Sequence, residues 1–245
     1  KAAIAEGVNR SIRYGVNSPY FDIALPCGSA IDVFIDVGFS DDHLDTILAA
    51  TSTRQPMQLI INMENGTSNV TPLDGNDGRP QLVLDGGQFN RLYRPPIRLV
   101  IAGKGPVIVS STEIARASDI EVTVITSEDD TAAQCESLGA TVAKSLKPDS
   151  IDEWTAVATL FHEHELEGPV LSAALDSDAF YIGALGSRVT HAERVERFLQ
   201  ASYADTNIAR IKGPLGISIG SRNPPEIAIS MVAEVLQVYR QKFPV

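Results

Sequence analysis

Two tripeptides near the C-terminus set glycine, a hydroxyl and a guanidinium in the same order: Gly186-Ser187-Arg188 and Gly220-Ser221-Arg222. Each stands ahead of a helix pattern. A helix N-terminus offers unpaired backbone N–H groups and the positive end of the macrodipole. Glycine lets backbone approach a ligand without a Cβ in the way, which Gly183 does for the first stretch as well. Serine adds a hydroxyl and arginine a charged fork, so the combination suits a phosphate-bearing ligand. The competing reading is that the glycines serve tight turns and the arginines pair with surface acids.

Three other stretches carry possible chemistry. Gly103-Lys104-Gly105 follows an apolar run, Ile97 to Ala102, and precedes Pro106 at a first helical position. This is the opening of a dinucleotide-binding turn. Its third small position holds Ile108, and Thr126-Ser127-Glu128 stands where a clean ribose-binding acid belongs, so NAD(P) is not the expected ligand. His162-Glu163-His164-Glu165 follows the strand run from Trp154 to Phe161. Its spacing is not that of the helical zinc-protease motif. Two imidazoles past a strand end either meet a polar ligand or form a solvated helix start. Cys27, between Pro26 and Gly28, is either a thiolate in an exposed turn or a small buried residue.

The elements that hold these residues divide at Arg94-Pro95-Pro96, a stiff linker. Residues 1–95 read as a small strand-rich α+β domain. A helix end over Ala2 to Arg10 is followed by strands at Phe21–Leu25, Ile31–Ile35, Met57–Met63 and Gln81–Leu84. Residues 96–245 read as a Rossmann-like, doubly wound parallel α/β domain. Its strands lie at Ile97–Ala102, Ile120–Thr126, Thr141–Lys144, Trp154–Phe161 and Ala179–Ile182. Helix patterns fall at Val107–Ala117, Thr131–Leu138 and Val170–Leu175, with Gly168-Pro169 as an interruption. Cys135 falls on a core face. Thr190-His191-Ala192-Glu193 reads as a capping box, and Ala192, Val195 and Leu199 as the apolar stripe behind it. Asn223, Pro224 and Glu226 spell the N-cap, first position and capping-box acid of the last helix.

The 245 residues carry a net charge of −11, with no basic stripe, which argues against a general nucleic-acid binder. No apolar run is long enough for a membrane helix. Two cysteines far apart frame neither a disulfide scaffold nor a zinc site, and a cytoplasmic setting is expected. The chain opens on Lys1 inside a helix pattern, so a preceding segment is expected.

The stretch Tyr181-Ile182-Gly183-Ala184-Leu185-Gly186-Ser187-Arg188, with Gly213-Pro214-Leu215-Gly216-Ile217-Ser218-Ile219-Gly220-Ser221-Arg222-Asn223-Pro224-Pro225-Glu226, resembles the C-terminal domain of the XdhC/CoxI family. Arg13-Tyr14-Gly15 and Leu25-Pro26-Cys27-Gly28-Ser29 are similar to its N-terminal domain. Thr159-Leu160-Phe161-His162-Glu163-His164 is similar to its fourth strand end. The resemblance implies a chaperone for molybdopterin or molybdenum cofactor, rather than a catalyst. It implies protection of the cofactor during sulfuration by a cysteine desulfurase, and transfer to an apo molybdenum hydroxylase of the xanthine or carbon monoxide dehydrogenase type. It also implies a homodimer. Cys27, Gly28, Gly103, Gly105, His162, His164 and the two Gly-Ser-Arg entries are the cofactor-binding residues it suggests. The sequence departs from the family where Ser29 replaces a second glycine, and where Gly103-Lys104-Gly105-Pro106 replaces Gly-Ala-Gly-His. An oxidoreductase using NAD(P) on the same fold is the alternative reading.

Overall fold

The structure, a computed structural model, describes residues 1–19, 28–73, 80–161 and 164–244. The expected strand at Phe21–Leu25 and the loop at 74–78 lie outside them, as do Cys27 and His162. The chain divides into two compact units, one spanning Lys1–Pro95 and also taking in Pro244, the other spanning Pro96–Phe243.

The first unit begins with α1 (Ala2–Glu6), which Gly7 ends in a left-handed conformation. It is shorter than the expected helix, because β1 (Arg10–Gly15) starts at the predicted helix end. β1 pairs antiparallel with β2 (Ala30–Ile35). α2 (Asp41–Ser52), capped by Ser40, is a helix the sequence pattern did not reveal. β3 (Met57–Asn62), β4 (Ser68–Pro72), β5 (Leu82–Asp85) and β6 (Gln88–Tyr93) then form an antiparallel sheet of order β4-β3-β6-β5. β3 alternates buried and half-buried residues, with Met57, Leu59 and Ile61 facing the core. That is the pattern of a sheet packed on one face.

The second unit alternates strand and helix: β7 (Arg98–Gly103), α3 (Pro106–Ala117), β8 (Glu121–Ile125), α4 (Asp129–Ser137), β9 (Thr141–Ala143), β10 (Thr155–Leu160), α5 (His164–Leu175), β11 (Tyr181–Ala184), α6 (Arg188–Gln200), α7 (Asp205–Ile208), β12 (Ile211–Lys212) and α8 (Pro224–Lys242). Its six strands are parallel, in the order β12-β11-β10-β7-β8-β9. Counted from β7, this is the doubly wound order 3-2-1-4-5-6, whose direction reverses between its first and fourth strands. β7 and β10 are those strands, so ligands are expected outside the ends of Gly103 and Leu160. All six residues of β10 are buried, as a strand covered on both faces must be.

One face of the sheet packs α3 and α8 around Leu99, Ile101, Ile108, Leu160 and Met231. Cys135 is fully buried in that layer, and burial pushes its thiol pKa up, as a core cysteine requires. The opposite face packs Val100, Val157, Leu171, Ile182 and Phe198. Where a doubly wound sheet usually carries a crossover helix, the link from β9 to β10 has only a 3-10 turn at Pro148–Ser150. Part of that face is therefore walled by a loop. Pro169 sits inside α5 rather than ending it; it removes one hydrogen bond while Val170, Leu171, Ala173 and Ala174 keep the helix buried. No helix among the described residues is long and apolar enough to cross a membrane.

Candidate functional site

The parallel strands deliver three helix entries to one edge of the sheet, and each is built differently. At the first, Gly103 ends β7 and Gly105 caps α3, with Pro106 at the first helical position. A Cβ on Gly103 would stand 2.8 Å from Ile108 Cδ1 and 2.9 Å from the Leu160 carbonyl oxygen. The glycine is therefore required by the chain's own packing. Ile108, fully buried, occupies the place where a small residue brings helix against strand. Gly105 has φ 77° and open space where a Cβ would be. Its N–H donates to Glu128 Oε2 at 3.0 Å and to Thr131 Oγ1 at 2.9 Å, while the Thr131 hydroxyl donates to the same Glu128 oxygen. A carboxylate thus already sits on the amide that a dinucleotide's pyrophosphate needs.

At the second entry, β11 runs into Leu185-Gly186 and then α6. The cap is Ser187, whose Oγ accepts from the Thr190 N–H at 3.1 Å. This corrects the capping box expected at Thr190. A Cβ on Gly186 would meet Thr190 Cγ2 at 2.6 Å, and one on Gly183 would meet the Tyr181 phenol oxygen at 2.4 Å. These two glycines make room for neighbouring side chains, not for a ligand as the sequence suggested. The first turn of α6 holds no acidic residue. Arg188, its first residue, is exposed and makes no hydrogen bond or ion pair among the described residues.

Beneath this turn lies an ion cluster that the sequence did not signal. Arg194 is fully buried; its Nε and Nη2 donate to the two oxygens of Glu167 at 2.9 and 3.0 Å. Nη2 also donates to the Leu185 carbonyl at 2.8 Å, and Arg197 reaches Glu167 Oε1 at 2.8 Å. The bidentate pair anchors the backbone at Leu185, one residue before the helix entry. The buried face of α6 is Arg194 and Phe198, whereas Leu199 is 41% exposed. The expected stripe is therefore rotated, because Glu167 compensates a charge on the inner face. Arg194 Nη1 lies 3.3 Å from His191 Nδ1. A guanidinium only donates, so Nδ1 is the acceptor and the ring proton sits on Nε2. Burial, and then the Arg194 charge, hold the imidazole below its ordinary pKa.

At the third entry, Gly220-Ser221-Arg222 leads to α8. Asn223 caps it, accepting from Glu226 N–H at 3.0 Å, and Pro224 is the first helical residue. Glu226 reaches back to the Arg222 N–H at 2.7 Å and to Asn223 Nδ2 at 2.9 Å. This cap agrees with the sequence reading. It also places a carboxylate at the turn. Gly220 has φ 74° and open space at its Cβ position. The Arg222 guanidinium is exposed and unpaired among the described residues. Upstream, Gly216 donates to Glu234 Oε2 at 2.7 Å, and the Tyr181 hydroxyl donates to the same oxygen at 2.6 Å. Desolvation and that carboxylate push the Tyr181 pKa far up, so the phenol stays protonated. Leu215 N–H donates to the Ala184 carbonyl, which ties the third entry's loop to the second's strand.

The remaining candidates are spread out. His164 is the first residue of α5, just past β10 at the strand reversal. Gly28 is exposed, with φ 66°, in the other unit. Thr159, in β10 beside Ala102 and Ala184, is fully buried, and its hydroxyl has no partner. No group of three or more metal-ligating side chains occurs among the described residues.

Residues 99–235 match the model of the XdhC Rossmann domain. Over 239 residues, 96% of this chain and 68% of the relative, the chain is 30% identical to the molybdenum cofactor insertion chaperone PaoD of Escherichia coli. It is 26% identical over 162 residues to a probable xanthine dehydrogenase component from Bacillus subtilis, covering 62% of this chain and 46% of that protein. A crystal structure described as a xanthine dehydrogenase from Bacillus halodurans superposes with a TM-score of 0.69 at 20% identity, over 99% of this chain and 79% of that one. At that identity the likeness is one of fold.

Proposed function

Because the chain belongs to the XdhC/CoxI family, we propose that it binds molybdenum cofactor and passes it to an apo molybdenum hydroxylase, in the manner named for PaoD. The observation that carries this reading is the match to that insertion chaperone over 96% of the chain. The donor set at the second entry fits a phosphate ester. Arg188 stands unpaired at the first position of α6, with Ser187 before it and no carboxylate in the first turn. A terminal phosphate there gains both the dipole and a guanidinium. The third entry offers Arg222 with a weaker field, since Glu226 already holds the Arg222 amide. His162, His164 and Cys27 are proposed contacts for the pterin and dithiolene end. Bound cofactor supplies the molybdenum chemistry of the client enzyme; the chain's own part is to hold, shield and release it. Protection during sulfuration by a cysteine desulfurase, action as a homodimer and a cytoplasmic setting complete the proposal.

Isothermal titration of the chain with molybdopterin tests it. Saturable binding at micromolar concentrations is expected, about tenfold weaker in Arg188→Ala, the scale of one charge-assisted contact. Absence of saturable binding overturns it. The NAD(P) oxidoreductase reading is weaker, because Glu128 holds the Gly105 amide and Ile108 fills the small position.

A further inference from the structure

A cavity of about 250 Å³ opens at the carboxyl ends of β8 and β10, against α5. Ile125, Leu146, Phe161 and Pro169 give it apolar walls, and Ser127 and Lys144 give it polar ones. It exists because the β9–β10 link carries no α-helix, so the loop after Ala143 walls the sheet face instead. Pockets for drug-sized ligands run to about 300–1,000 Å³, so this one takes a single ring system rather than a dinucleotide. Phe161 offers an aromatic face, which stacks on any base.

Glu128 lies one residue beyond Ser127 on the same β8–α4 turn. Its Oε2 is fixed by the Gly105 amide and the Thr131 hydroxyl, and its backbone N–H donates to Thr126 Oγ1 at 3.2 Å. Its Oε1 has no hydrogen-bond partner among the described residues. Glu128 is 23 residues beyond Gly105, about the separation at which an acid of the doubly wound fold meets ribose hydroxyls. A carboxylate with one oxygen pinned and one open is a preorganised acceptor for a vicinal diol. The same carboxylate repels a phosphate from Gly105.

We propose that this pocket binds a ribonucleoside, its base between Phe161 and Leu146 and its ribose hydroxyls on Glu128, with no phosphate seated on the α3 entry. This goes beyond cofactor transfer and involves neither Arg188 nor Arg222. A ribonucleoside and its 5′-diphosphate should accordingly bind with similar affinity, unlike at a pyrophosphate-holding turn.

Ligand-observed NMR of the full chain with adenosine, guanosine, cytidine and uridine, and with their 2′-deoxy forms, tests the proposal. At least one ribonucleoside should show saturable binding below millimolar, with its deoxy form about tenfold weaker. Glu128→Gln should weaken the ribonucleoside and spare the deoxy form. Ser145→Trp, at an exposed position on the pocket lining, should abolish binding while the thermal melt is retained. No saturable binding by any of the four, or equal binding of ribo and deoxy forms, overturns the proposal. Molybdopterin titration of the same sample, read through Arg188, separates this outcome from failure of the cofactor reading.

Discussion

Gly186-Ser187-Arg188 and Gly220-Ser221-Arg222 are the same tripeptide ahead of a helix, yet they present opposite electrostatics. At the third entry a capping box is complete: Asn223 takes the Glu226 amide and Glu226 takes the Arg222 amide. At the second, only the Ser187 hydroxyl caps, and the charge of that neighbourhood lies below the turn in the Glu167–Arg194 pair. A capping carboxylate satisfies orphan amides and discourages any further anion. A buried salt bridge fixes the backbone while leaving the helix end open. The same residue types thus give one entry that is finished by the chain and one that is not.

The largest break in this contrast comes from Glu167→Gln. It leaves Arg194 fully buried without its counter-charge, and breaking such a pair costs about 3–5 kcal/mol. Urea unfolding should show that loss, and loss of molybdopterin binding should accompany it at permissive temperature. A double change to methionine at Glu167 and Arg194 should recover much of the stability, because packed apolar residues often replace a buried pair without loss. If Glu167→Gln unfolds at the parent midpoint, the cluster does not anchor the entry.

The next effect compares the arginines. Arg188→Ala should weaken molybdopterin about tenfold, and Arg222→Ala less than about threefold, as measured by titration calorimetry. Replacing Glu226 by Gln removes the competing charge, so Arg222→Ala should then matter more in that background. Equal losses from the two arginines in the parent chain would show that the capping carboxylate does not set the difference. Smaller still are the caps themselves. Ser187→Ala and Asn223→Ala should each cost about 1 kcal/mol in urea unfolding, with Asn223→Ala the greater because it also loses the bond to Glu226.

Much of the second unit was legible in the sequence, for a physical reason. Doubly covered parallel strands must be apolar throughout, so Ile97–Ala102 and Trp154–Phe161 announced themselves. The N-cap at Asn223 was legible because its chemistry is local. α2 was not, because Leu44 and Leu48 are exposed while only Ile47 and Ala50 are buried, which blurs its period. Gly183 and Gly186 misled, because clearance for Tyr181 and Thr190 looks, in sequence, like clearance for a ligand. Arg194, Glu167 and Glu128 were invisible as site residues. Charged residues read as solvated, and only a partner brought in by the fold makes them buried or pinned. The signal that could have found Arg194 is its place between Val195 and His191 on a helix otherwise poor in inward apolar residues.

His191 gives the smallest and most selective test of the second entry. Its ring lies against the Gly213 backbone and beside Arg194. Burial and that guanidinium hold its pKa below 6.5, so the folded chain resists the proton that the unfolded chain accepts. The Glu167 carboxylate, facing it from α5, offsets part of this. As pH falls below about 6.5, the unfolded state binds more protons, and stability falls toward the depressed folded value. Above 6.5 the imidazole is neutral in both states and its contribution is complete. His191→Asn should therefore flatten the fall in urea midpoint between about pH 7.5 and about pH 5.5, with little change at the upper end. No residue of the third entry among the described residues carries a comparable depressed imidazole, so Arg222→Ala should leave that slope untouched. A parent slope retained in full by His191→Asn would mean that the pH response of this turn arises elsewhere.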